Sequence, residues 1–147
     1  MITITKEFSF EAAHALEGYD GPCRNIHGHS YKLSVTVTGK PITDPASPKK
    51  GMVMDFSDLK KIVKTQIVDP LDHALILPSD TGIRFSSEAA GQFAKIHMVD
   101  YQPTSENLLI DFAKKIRALL PGGVRLTSLK LRETANSYAE WHPGQDD

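Results

Sequence analysis

CRNIHGHSYKLSVTV, residues 23–37, changes character halfway along. Its first seven residues are aperiodic and carry the only cysteine of the chain together with two histidines one residue apart. From Tyr31 onward the pattern alternates: Tyr31, Leu33, Val35 and Val37 are apolar, while Lys32, Ser34, Thr36 and Thr38 are polar. That period of two predicts a strand with one buried face, ending at Gly39. Upstream, Ile2, Ile4, Phe8 and Phe10 share one parity and Thr3, Thr5 and Glu7 the other, with Lys6 as the one break, so a second strand precedes it. Residues 11–30, between the two, have no clear period and are expected to form a long connection of the kind that often carries function.

Downstream, GKPITDPASPKKG holds three prolines and two glycines and reads as an exposed loop. The pattern then becomes helical. Leu59, Ile62, Val63 and Ile67 predict an amphipathic helix, with Ser57 as N-cap and Pro70 closing it. A second helix begins at PTSEN, with Thr104 or Ser105 as cap and Glu106 at its positive end. Leu108, Leu109, Phe112, Ile116 and Leu119 form its apolar face before the PGG stop. Residues 78–102 are ambiguous: IRFSSEAAGQ suits a short helix and FAKIHMVDY looks extended. VRLTSLKLRET and NSYAEW supply two final strands. The order strand, loop, strand, helix, helix, strand, strand leaves two sheet edges, which are commonly closed by another subunit.

With 147 residues, 40% apolar and 24% charged, the chain is expected to form one soluble domain spanning 1–147. A formal net charge of −1 gives no general attraction to nucleic acid or an anionic membrane. No apolar run approaches the roughly 20 residues of a membrane span, and MITITKEFSF lacks the features of a leader. The expected compartment is the cytoplasm, where a single cysteine stays reduced.

His27 and His29 point to the same side at the entry of a strand and can meet one ion. His14, in FEAAHAL at the end of the first strand, is the natural third ligand if the two strands are antiparallel neighbours. Three imidazoles with one open position describe a catalytic zinc site, whereas structural sites usually close with four protein ligands and favour thiolates. Cys23 is then either a fourth ligand or a reactive group beside the metal, and packing histidines are the plain alternative. LDHALIL sets Asp72 and His73 in an apolar run, where a titratable pair is costly unless paired or used; a solvated pair at a helix end competes with that reading. Glu133 shares the parity of Leu129 and Leu131, so its carboxylate should meet a cation or a flat pair of N–H donors, unless it reaches solvent at the strand end. His97 and His142 receive no role.

FSFEAAH, CRNIHGH, GMVMDFSDLK, LDHALIL, PTSEN and LRET occur in the order found in the 6-pyruvoyl and 6-carboxytetrahydropterin synthases, and nearly the whole chain resembles that family. The resemblance implies an α+β tunnelling fold: a four-stranded antiparallel sheet with two helices on one face, with sheets joined into an oligomeric barrel. It implies a homohexamer, a dimer of trimers with active sites at subunit interfaces. It implies Zn2+ on His14, His27 and His29; Cys23, Asp72 and His73 as catalytic groups, the last two reaching a neighbouring subunit's cysteine; and a pterin bound by Glu133, with Thr104, Ser105 and Glu106 along its pocket. The match is weak over residues 79–101.

The three-residue gap in CRNIHGH resembles the 6-carboxytetrahydropterin synthase branch of queuosine and 7-deazapurine biosynthesis. The implied substrate is 7,8-dihydroneopterin triphosphate, with 6-carboxytetrahydropterin, acetaldehyde and triphosphate as products. The 6-pyruvoyl reaction, without carbon-carbon cleavage, is the near rival, and a non-catalytic zinc or pterin-binding module is a more distant one. A zinc hydrolase would want an H-E-x-x-H sequence, which is absent. Arg24, Lys32, Lys49 and Lys50 are candidates for the phosphates only as basic residues near the expected site in sequence.

Overall fold

The computed structural model describes residues 1–92 and 95–144. Two long strands dominate it: β1 (Ile2–His14) and β2 (His27–Gly39) pair antiparallel along their whole length, from Ile2 opposite Gly39 to His14 opposite His27. The connection expected over residues 11–30 is therefore shorter, because alanines, glycine and histidines carry β1 on to His14 and start β2 at His27, with the 3-10 turn Pro22–Arg24 between them. Propensity gave no hint of strand there; thirteen paired residues override it.

Helix α1 (Phe56–Val63) is capped by Asp55, whose carboxylate accepts the Ser57 N–H at 2.8 Å, rather than by Ser57 itself. Pro70 does not close it. The helix continues through a π-helical stretch, Lys64–Val68, into the short α2 (Asp69–Leu71), whose first turn accommodates the proline. Strand β3 (Ala74–Pro78), the four-residue α3 (Ser87–Ala90) and strand β4 (Ile96–Val99) follow. Helix α4 (Ser105–Arg117) is capped by Thr104, whose hydroxyl accepts the Asn107 N–H at 3.2 Å. The chain closes with β5 (Arg125–Thr134) and β6 (Ser137–Trp141).

The sheet has six strands, in the order β4-β3-β1-β2-β5-β6, not the expected four. The antiparallel four are present as β1, β2, β5 and β6, and β3 and β4 extend the β1 edge in parallel. Alternation could not reveal β3, because it is buried on both faces: Ile76 joins the main core, while Leu75 and Leu77 pack with Ala15, Ile83 and Phe85 in a smaller cluster. IRFSSEAAGQ contains α3 and FAKIHMVDY contains β4, although Phe93 and Ala94 lie outside the described residues.

One sheet face carries Phe10, Tyr31, Leu33, Val35, Leu129 and Leu131, and α1 and α4 cover it with Leu59, Val63, Leu108 and Phe112. His14, His27 and His29 continue this parity beyond Phe10 and Tyr31, so the strands deliver all three to one end of the helix-covered face. The opposite face is polar, with the Thr5–Thr36, Ser30–Glu11 and Ser34–Glu7 hydrogen bonds across β1 and β2.

Candidate metal centre and its surroundings

Register alone makes the histidine cluster: His14 is paired with His27, and His29 with Ala12, two residues away along β1. One ligand atom from each of His14, His27 and His29 lies within 4.8 Å of those of the other two. Among the described residues no thiol or carboxylate comes within that distance of all three. Their rings pack edge-on, with centroids 4.6–5.1 Å apart, above the buried Tyr31, which itself stacks on Phe10.

Hydrogen bonds to carbonyls fix two of the tautomers. His14 Nδ1 lies 2.7 Å from the Pro103 carbonyl and His27 Nδ1 2.7 Å from that of Asn25; a carbonyl only accepts, so both rings carry their proton on Nδ1. Both Nε2 atoms then present lone pairs, and they face each other at 3.0 Å. Protonating one would relieve the conflict, but burial of His14 pushes its pKa below the usual histidine value, outweighing the Pro103 carbonyl that favours the proton. His29 is lowered by burial too, against the pull of Glu133. Its buried Nε2 makes no hydrogen bond. The converging lone pairs of His14 and His27 fit a divalent cation, and the outer nitrogens of these two rings, held by carbonyls, have the usual support of metal-bound histidine.

Glu133 adds the negative charge. Its Oε1 lies 3.2 Å from His29 Nε2 and 3.5 Å from His14 Nε2, and the side chain is 29% exposed. The parity with Leu129 and Leu131 holds, and the β5–β6 register shifts at this position: β6 pairs with Arg132 and Thr134 but skips Glu133. Burial and the Glu133 charge together raise the pKa of the Tyr31 hydroxyl, which therefore stays protonated near His14.

Asp72 and His73 form a pair, with Nδ1 of His73 3.1 Å from Asp72 Oδ1. His73 adopts φ +62°, sparsely populated for a non-glycine residue, and is held there from β1: Asp72 Oδ1 accepts the Glu11 N–H at 2.9 Å and Glu11 O accepts the His73 N–H at 2.5 Å. The Glu11 hydrogen bond, assisted by His73 and Lys95, holds the Asp72 carboxyl below its usual range. His73 is 77% exposed, and with His29 it lines a pocket of about 320 Å³.

Cys23 stands apart, in the turn before β2, where its carbonyl accepts the Leu16 N–H at 3.0 Å and ties the turn to the chain just beyond His14. Thr104 caps α4 directly after the Pro103 carbonyl that holds His14, Ser105 is buried with an unpaired hydroxyl, and Glu106 is exposed. Sequence reasoning missed the carbonyls of Pro103 and Asn25, which have no side-chain signal, and Glu11, which it placed at the start of the aperiodic connection.

Fold and site together define a small α+β protein with three histidines positioned to bind a metal ion at the end of two paired strands. The sequence profile of the 6-pyruvoyl tetrahydropterin synthase family matches residues 3–143, and the chain belongs to that family. Among its relatives, the 6-carboxy-5,6,7,8-tetrahydropterin synthase of Haemophilus influenzae is 39% identical, over 96% of this chain and 99% of that protein. The 6-pyruvoyl tetrahydrobiopterin synthase of Pongo abelii is 33% identical, over 91% and 86%. The structure of Caenorhabditis elegans 6-pyruvoyl tetrahydropterin synthase superposes with a TM-score of 0.67 at 26% identity, covering 97% of this chain and 96% of that one.

Proposed function

We propose that the protein is a zinc-dependent 6-carboxy-5,6,7,8-tetrahydropterin synthase, converting 7,8-dihydroneopterin triphosphate to 6-carboxytetrahydropterin, acetaldehyde and triphosphate in queuosine and 7-deazapurine biosynthesis. The converging Nε2 lone pairs of His14 and His27 carry the metal part of this reading. CRNIHGH, together with relatives of that name at 32–39% identity, supports the carboxy product.

The residues divide the work by their chemistry. His14, His27 and His29 hold zinc. When bound, zinc supplies Lewis acidity that makes the neighbouring side-chain carbon-hydrogen bond more acidic. Glu133, whose carboxylate lies beside His14 and His29, accepts the two parallel N–H donors of the aminopyrimidinone edge and fixes the ring. Thr104, Ser105 and Glu106 border the ring at the head of α4. Cys23 as thiolate takes the side-chain proton. Asp72 holds the proton on Nδ1 of His73, leaving Nε2 to give and take protons as triphosphate departs.

Residues 1–147 act as a single domain in this reading. The edges β4 and β6 pair with other copies in a barrel of trimers stacked as a homohexamer, so that Asp72 and His73 of one subunit serve a cysteine of the next. Such an assembly works in the cytoplasm on a small pterin, without nucleic acid or membrane; no helix among the described residues is long and apolar enough to cross one.

The rival is the 6-pyruvoyl synthase reaction on the same substrate, which the family profile and the Pongo abelii relative favour. Mass analysis of the product from 7,8-dihydroneopterin triphosphate decides between them. A carboxylated pterin with released acetaldehyde is expected, a retained three-carbon side chain would establish the rival, and no conversion by zinc-loaded protein would sink both.

A further inference from the structure

Glu11 is exposed on the polar face of β1, yet hydrogen bonds from both its backbone and its side chain hold it in place. Its backbone clasps both members of the Asp72–His73 pair, one through N–H and the other through C=O. Its side chain is tied across the sheet to Ser30, its register partner on β2, whose hydroxyl donates to Oε2 at 2.7 Å. Oε1 is left without a hydrogen-bond partner among the described residues. Glu11 lines the same pocket as His29 and His73, whose remaining lining includes Ala12, Gly28 and Ala74, small residues that leave room for a ligand.

From this arrangement we propose that Glu11 is a specificity-determining residue that accepts hydrogen bonds from the hydroxyl groups of a polyol side chain on the bound pterin. The assignment rests on the pterin reading above. A carboxylate oxygen only accepts, so its partner must be an O–H or N–H donor. The same negative charge repels phosphate, so the pocket selects the neutral hydroxylated part of a ligand and the phosphate tail is excluded from it. Ser30 fixes the carboxylate, so little side-chain freedom is lost when a hydroxyl docks.

Calorimetric titration of zinc-loaded protein with neopterin, and with pterin bearing no side chain at carbon 6, tests this. Glu11→Ala should weaken neopterin by about ten-fold, the loss expected for one hydrogen bond to a charged group, and leave pterin unchanged. Ser30→Ala should weaken neopterin by less and spare pterin, and both variants should keep the wild-type zinc content because the backbone clasp does not depend on either side chain. Equal loss for the two ligands, or no loss for either, would overturn the assignment to Glu11. Wild-type protein that binds neither ligand would instead overturn the pterin reading, and the assignment with it.

Discussion

His14 Nε2 and His27 Nε2 lie 3.0 Å apart, each ring holding its proton on the far nitrogen against a backbone carbonyl. Two lone pairs at that distance repel unless a cation stands between them. Zinc should therefore bind with one ion per chain, and alanine at His14, His27 or His29 should abolish stoichiometric binding, read by metal analysis after dialysis. Burial keeps His14 and His29 deprotonated below the ordinary histidine range. Zinc should thus be retained somewhat below pH 6.5 and be released as the pH falls further and the imidazoles protonate.

Cys23 lies outside the ligand cluster. Cys23→Ala should keep zinc and lose turnover, by at least the 10²-fold typical of removing a positioned base. Loss of stoichiometric zinc in this variant would make Cys23 a ligand and end its assignment as the base.

Glu133→Ala should weaken pterin binding by about ten-fold or more while zinc is retained, since a bidentate, charge-assisted contact disappears and no metal ligand does. Unchanged pterin affinity would refute the anchor role.

Asp72 accepts the Glu11 N–H, and its pKa is lowered by that bond, by His73 and by Lys95. A lowered carboxyl pKa gives stability that is present above the unfolded-state value near 3.8 and is lost as pH falls through the lower folded-state value. In zinc-free protein, the difference in thermal midpoint between wild type and Asp72→Asn should therefore be largest above pH 5 and shrink on acidification below 3.8. The side chain is 40% exposed, so solvent keeps the effect small. A difference that stays constant across this range would show that the charge is not what Asp72 contributes.

Thr104→Ala removes the α4 cap and should cost about 1 kcal/mol by denaturant unfolding. The adjoining Pro103 carbonyl holds His14, so zinc affinity should fall as well. A stability loss with unaltered zinc affinity would separate the cap from the metal centre.

The sequence by itself determined the parts whose pattern is local. Alternation fixed which face of β1, β2 and β5 is buried and put Glu133 on it, helical spacing found α1 and α4, and the H-x-H pair with His14 named a metal set. Tertiary structure decided the rest. β3 is buried on both faces and so shows no alternation, and its parallel place beside β1 depends on pairing partners sixty residues away in the chain. The tautomers of His14 and His27 are set by two carbonyls that every residue type possesses, and the approach of the Glu133 carboxylate to His14 and His29 by the pairing of β5 with β2 and β2 with β1. Periodicity records how a residue faces its own strand or helix; backbone donors, acceptors and register shifts acquire their meaning only when distant segments meet.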